Sequence, residues 1–295
     1  MHNHQDQILE PPSKLTPRTI SRIPITALFI SAMPAESTEL RNALIARLKK
    51  INQSKIIDHT QIKTEFGATE LITCPIRLSV EENAQTKPNF SYLLATSGIG
   101  MVNAAATLSS LLTQYAPEII VCTGSAGGLH PNSRVRDVVI GTEYLNSRAD
   151  ATAFGYAPGQ VPGNPASISI TDDVRTAIAA ALTKTATSEA GAAGLKITAY
   201  SGQMLSSDAF VTDANVETTR ELFPDGLTAD MESQAFAQVA AKYANTPFVA
   251  VRGISDLCST PEDQSISFHA ELSEVAAQAA QIALDIVENF APKSL

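Results

Sequence analysis

A chain of 295 residues that is 44% apolar, with a mean hydropathy of +0.03, holds enough apolar material for one large α/β domain or two small ones and is not a disordered protein. Its net charge of −9, with no Lys/Arg patch or basic arm, argues against a binder of nucleic acid or of anionic membrane. No apolar run reaches the ~18 residues that cross a bilayer, so a soluble cytoplasmic protein is expected.

Residues 1–24 are polar, contain Pro11, Pro12 and Pro17, and lack the apolar stretch of a secretory signal. They read as a flexible tail ahead of a single domain over 25–295. Residues 25–30 are a short buried strand. It breaks at Ser31, and Pro34 suits the first turn of a helix that carries Leu40, Leu44 and Leu48 on one face. Glu36 falls in that first turn, where a carboxylate most often serves the helix dipole. Residues 60–66 and 69–76 read as hairpin strands around Gly67-Ala68, and 80–89 as an extended loop. Residues 92–96 return as a strand into Ser97-Gly98-Ile99-Gly100, followed by a helix over 101–114. The strand–Gly-x-Gly–helix order invites a dinucleotide reading. However, Asn103 occupies the third glycine position and no acidic residue ends a following strand, so that reading is rejected. The loop still offers N–H groups at a helix start to a polar ligand.

Residues 118–123 form another apolar strand, leading to Gly124-Ser125-Ala126-Gly127-Gly128. Glycines there serve either a tight turn or a close approach to a ligand. A strand over 137–144 precedes a long loop, 146–165, with Phe154, Tyr156 and Pro162; loops of that length are usually functional. Then come a helix over 172–184, a small polar connection at 185–194 and a strand over 195–204. A helix over 213–222 is stopped by Pro224. Residues 227–229 lead through Asp230-Met231-Glu232 into a helix over 235–243. The run 247–256 is continuously apolar until Arg252, Ser255 and Asp256, as in a strand covered on both faces whose carboxyl end holds a ligand. After Phe268 a long amphipathic helix runs to about Phe290. Strands alternating with helices predict a three-layer α/β/α fold around a mixed sheet. Cys74, Cys122 and Cys258 are scattered, and two of them read as reduced core thiols. The five histidines show no ligand spacing, so no metal is expected.

The loops at the strand ends carry an ordered set of motifs: Ser97-Gly-Ile-Gly100, Thr123-Gly-Ser-Ala-Gly-Gly128, Thr152-Ala-Phe-Gly-Tyr156, Ser207-Asp-Ala-Phe210, Met231-Glu232 and Ile254-Ser-Asp256. On these the chain, from about Ile25 onward, resembles the nucleoside phosphorylase/nucleosidase superfamily and, within it, the bacterial 5′-methylthioadenosine/S-adenosylhomocysteine nucleosidases. The resemblance implies an N-glycosyl hydrolase without a cofactor. Cleaving that bond needs a protonated purine, a stabilised oxocarbenium-like sugar and an activated nucleophile. Asp256 matches the acid that protonates purine N7, with Ser255 orienting it. Glu36 matches the base that activates water, with Arg252 nearby. Glu232 matches the carboxylate on the ribose hydroxyls, and Met231 lies against the ribose. Phe210 and Val211 match the purine platform. Ser97, Ala126 and Gly127 border the nucleoside. Met33 and Phe268 also count among the substrate-binding residues; Ala151 and Pro162 fall at the 5′ pocket, and Phe154 and Pro162 lie on the loop that, in a homodimer, completes the neighbouring site.

The sequence departs from the pattern at Asp230, where Glu is common, at Ala151, where a larger aliphatic is common, and in the less acidic run 31–36. The departures bear on the 5′ substituent more than on the reaction. Sister activities on the same frame are hydrolysis of aminodeoxyfutalosine or 5′-deoxyadenosine and nucleoside phosphorolysis. A non-catalytic nucleoside-binding protein would lack the acid.

Overall fold

The strand-forming run at the start of the domain is Ile23–Ser31, β1, the centre of a mixed sheet. The computed structural model describes residues 21–51, 58–64, 67–74, 90–187, 197–258 and 261–290. The readings for the tail up to residue 20, for the loop 80–89 and for most of the connection 185–194 lie outside the described residues.

β1 runs parallel to Phe90–Thr96 (β4) on one side and to Tyr115–Gly128 (β5) on the other. The antiparallel strands Asp58–Thr64 (β2) and Gly67–Cys74 (β3) extend the β4 edge, as the hairpin pattern predicts. On the far side β5 pairs in parallel with Phe248–Asp256 (β10), which pairs antiparallel with Val138–Asn146 (β6). β6 also pairs with the two-residue strand Ile168–Ser169 (β7). Ala199–Ser206 (β8) continues from β6, and Gly226–Asp230 (β9) lies between β8 and β5. Strands β5, β10, β6, β8 and β9 therefore close into a hoop, and β1, β4, β3 and β2 extend from it as an open wing.

Helices cover both sides of the sheet. Pro34–Ile51 (α1), Asp172–Thr187 (α3) and Pro261–Asn289 (α6) pack together, with α6 on β10 and β5. Met101–Gln114 (α2) and Ser233–Lys242 (α5) pack together on the other side, and Val216–Leu222 (α4) is a short helix before β9. The stripe Leu40, Leu44 and Leu48 is buried as its spacing requires, each leucine contributing about 1.5–3 kcal/mol of transfer free energy. The core relies on aliphatic residues and alanine. Gly253 lets α6 lie close on β10, because a Cβ there would sit 2.5 Å from the Val275 carbonyl oxygen.

Of the boundaries that differ from the sequence reading, two bear on the site. β5 continues to Gly128, where the sequence reading ended the strand at Thr123 and left the glycines to a turn or a close approach to a ligand. Its glycines pair across with Arg252 and Asp256 of β10 and with Ala229 of β9, so this backbone is ladder. Helix α6 begins at Pro261 and not after Phe268. Among the described residues no helix is long and apolar enough to cross a membrane.

Candidate active site

The carboxyl ends of β1, β5, β9 and β10 meet at one cleft. β10 brings Arg252, Ser255 and Asp256; β9 and the corner after it bring Ala229 to Glu232; β5 brings Ser125 to Gly127. Met33 and Glu36 come from the start of α1, Ile99 from the loop before α2, and Ala209 to Val211 from the loop after β8. Phe268 of α6 closes the rim.

Glu36 is buried and accepts four hydrogen bonds. Its Oε2 takes the N–H groups of Ala32 and Met33, both at 3.1 Å, and its Oε1 takes the Ser125 N–H at 2.8 Å and the Ser125 hydroxyl at 3.1 Å. The helix start thus aims this carboxylate at β5. Gly124 permits the approach: a Cβ there would lie 2.5 Å from Glu36 Oε1 and 2.6 Å from Arg252 Nη1.

Arg252 is only 1% exposed and spends every nitrogen. Nε donates to Ser233 Oγ at 3.1 Å, Nη2 to Glu232 Oε2 at 3.1 Å and Nη1 to the Ser125 carbonyl at 3.4 Å. The buried charge is matched by carboxylates, since a lone one would be prohibitive. Glu232 Oε1 accepts the Gly100 N–H at 2.9 Å. Burial pushes the Glu232 carboxyl up to about 7. The Arg252 charge pulls it down, Asp230 raises it, the Gly100 N–H pulls it down and Glu36 raises it.

Asp256 is buried at the end of β10. The Ser255 hydroxyl donates to its Oδ2 at 2.9 Å, and the Cys258 N–H donates to its Oδ1 at 3.1 Å. Burial, and then the Asp256 charge, push the Cys258 thiol up to about 12 against the pull of Arg220, so at neutral pH it is an apolar wall and no nucleophile. Phe210 is 53% exposed beside buried Val211, an open aromatic face at the cleft mouth. Among the described residues no cluster of His, Cys, Asp or Glu is gathered as a metal site requires.

The structure brings together Met33, Glu36, Ala126, Gly127, Phe210, Val211, Met231, Glu232, Arg252, Ser255, Asp256 and Phe268. It does not bring Ser97 to the cleft: its hydroxyl turns back to the carbonyls of Gly98, at 2.8 Å, and Ser31, at 3.4 Å. From this loop the residue that lines the cleft is Ile99, two positions on. Ala151, Phe154 and Pro162 also lie away from this chain's own cleft. Sequence reasoning missed Ile99, Ala209 and Cys258, although Ile99 and Ala209 stand inside motifs already singled out. It also gave Asp230 no task. Asp230 Oδ1 accepts the Ser206 hydroxyl at 2.6 Å and the N–H groups of Glu232 and Ser233, both at 2.9 Å, and thereby holds the start of α5.

The sequence profile described as "Phosphorylase superfamily" matches residues 88–291. The chain belongs to this superfamily. It is 33% identical over 263 residues to the 5′-methylthioadenosine/S-adenosylhomocysteine nucleosidase of Bacillus subtilis, covering 88% of this chain and 97% of that protein. The crystal structure of the nucleosidase of the same name from Neisseria meningitidis, in complex with methylthio-immucillin-A, superposes with a TM-score of 0.69 at 31% identity, covering 89% of this chain and 98% of that one. The corresponding nucleosidase of Colwellia psychrerythraea, in complex with adenine, gives 0.72 at 27% identity, covering 94% and 99%. For a superfamily member, a cleft at the carboxyl ends of parallel strands is the expected place for a ligand.

Proposed function

We propose that this chain hydrolyses the N-glycosidic bond of 5′-methylthioadenosine and S-adenosylhomocysteine, giving adenine and the free thio-substituted ribose. The observation that carries the reading is the set of three buried carboxylates, Glu36, Glu232 and Asp256, at one cleft with an aromatic face beside it.

Each carboxylate has a distinct task. Asp256, fixed by Ser255 and the Cys258 N–H, gives its proton to purine N7 as the C1′–N9 bond breaks and the bonding pair moves into the ring. Glu232 accepts from the ribose hydroxyls and opposes the positive charge growing on the sugar. Glu36 takes the proton of the water that attacks C1′. Phe210 stacks on the base. Water is favoured over phosphate by charge. Arg252 is the one cation among the described residues lining the cleft, and each of its three nitrogens already donates to a protein acceptor.

The reading extends to a homodimer over one domain, residues 25–295. Phe154 is 83% exposed and Val102 76% exposed, with Tyr156 and Val161 also open, exposed apolar side chains of the kind a two-fold partner would cover. Phe154 of each copy then lies in the interface, and Pro162 enters the other copy's 5′ pocket. The buried free thiols Cys122 and Cys258 suit a reducing cytoplasm, and the products suit methionine salvage. The test is product analysis on a panel of 5′-substituted adenosines, including 5′-deoxyadenosine and 6-amino-6-deoxyfutalosine, with and without phosphate. Adenine release from the two thio-nucleosides without phosphate is expected. Strict phosphate dependence, or preference for the futalosine, overturns the reading.

A further inference from the structure

Asp230 stands where related nucleosidases commonly carry Glu, and the cleft chemistry above gives it no step. Its surroundings are nonetheless specific. Oδ1 accepts from Ser206 Oγ and from the N–H groups of Glu232 and Ser233. The Ser206 hydroxyl oxygen in turn accepts the Gln234 N–H at 3.0 Å, so the N–H groups of Glu232, Ser233 and Gln234 end on this one pair. Oδ2 is buried, has no hydrogen-bond partner among the described residues and lies 3.4 Å from Arg252 Nε. Arg252 passes the contact on, because Nε also meets Ser233 and Nη2 holds Glu232.

We propose that Asp230 is a positioning residue: it clamps the Met231–Ser233 corner and one edge of the Arg252 guanidinium, and through both it aims the Glu232 carboxylate into the cleft. This rests on the nucleosidase reading above. Main-chain and charge contacts act on the same group, so losing Asp230 loosens Glu232 from both ends. The charge of Asp230 is also one of the two carboxylates that hold the proton on Glu232, the other being Glu36 from α1; Arg252 of β10 and the Gly100 N–H ahead of α2 oppose them.

The experiment compares Asp230→Asn and Asp230→Glu in the full chain, with 5′-methylthioadenosine from about pH 5 to 9, the range in which a raised carboxyl titrates. Asp230→Asn is expected to lose kcat by ~10- to 100-fold, the scale of a misplaced catalytic group. The acid limb of its kcat/KM profile moves to lower pH, because a negative neighbour of Glu232 is gone. Asp230→Glu, which keeps the charge, restores most of kcat and returns the limb. An Asn variant with kcat within about twofold of the parent and an unmoved limb overturns the proposal, since a purely structural cap moves neither. Should Asp230→Asn not fold, Ser206→Ala serves: it removes the 2.6 Å bond and keeps the charge. A several-fold loss of kcat with an unmoved limb supports the clamp, and an unchanged kcat refutes it. Carboxyl NMR of Glu232 in the unliganded parent and Asn variant needs no substrate. If the parent fails to cleave thio-nucleosides, the functional reading falls on its own. The downward move of the Glu232 titration then still decides for Asp230, and its absence decides against.

Discussion

Replacing Gly124 with alanine tests the site without touching a reacting group. The new methyl would stand 2.5 Å from Glu36 Oε1, 2.6 Å from Arg252 Nη1 and 2.8 Å from Glu36 Cδ. Ordinary contact begins at 3.4 Å, so Glu36 must retreat by about 0.9 Å and Arg252 by about 0.8 Å, the differences between 3.4 Å and those first two distances. Neither has room to do so cheaply. Glu36 is held by two donors on each oxygen, and Arg252 by three acceptors. Moving Glu36 breaks its pair of bonds to Ser125, and the strain and lost bonds together cost about 1–3 kcal/mol of stability. Displacing a catalytic base by about an ångström costs about 10²-fold in turnover. The expected variant is therefore folded, melts a few degrees lower, and is slower by about two orders of magnitude on 5′-methylthioadenosine. Circular dichroism melts beside steady-state kinetics measure both. Turnover within threefold of the parent would refute the reasoning, because it would mean that the placement of Glu36 and Arg252 against Gly124 is of no catalytic consequence.

Three further outcomes are expected. Asp256→Asn retains its fold and loses at least ~10²-fold in kcat, the lower range for general acid catalysis, as single-turnover adenine release will show. Glu232 in the folded protein holds its proton up to about 7, against an unfolded value of about 4.3. The stability this contributes is full below the unfolded value and is lost as pH rises through about 7. The melting temperature of the parent relative to Glu232→Gln should therefore fall between about pH 5 and 8, and a flat difference contradicts the burial argument. Pro162→Asp should weaken substrates with apolar 5′ groups far more than adenosine, with sedimentation showing a dimer at micromolar concentration. A fully active monomer ends the two-fold reading.

The order of strands and helices is legible because each carries its own period or apolar run. The leucine stripe of α1 and the uninterrupted run of β10 are the plainest cases. The start of α6 is written in the sequence as well, in Pro261 followed by Glu262 and Asp263, an N-terminal signature that a search for apolar periodicity passes over. The extension of β5 is not written locally, because the partners of its glycines lie on β9 and β10, about a hundred residues away. The same holds for the site. Asp256, at the end of an apolar strand, is conspicuous by itself; Glu36 reads locally as a helix-dipole partner, and it and Glu232 stand out only through the ordered set of motifs. Which of several acids faces a ligand and which supports its neighbour depends on long-range bonds such as Ser206 to Asp230, and no spacing rule reveals them. Ser97 shows the converse: a hydroxyl in a promising loop satisfies itself on nearby carbonyls.

The hoop of β5, β10, β6, β8 and β9 bears on how the molecule opens. β10 is bonded on both flanks, and each flanking strand is itself bonded onward around the ring. Its amides exchange with solvent only when more than one seam parts, so their protection approaches that of global unfolding. β2 ends the wing with a single partner among the described residues, and exchange there precedes it. Arg252, Ser255 and Asp256 ride on the last strand to open. Substitutions that loosen β10 will therefore register as faster amide exchange at the site and faster thermal inactivation together, while changes in the β2–β3 hairpin alter exchange locally and leave inactivation alone.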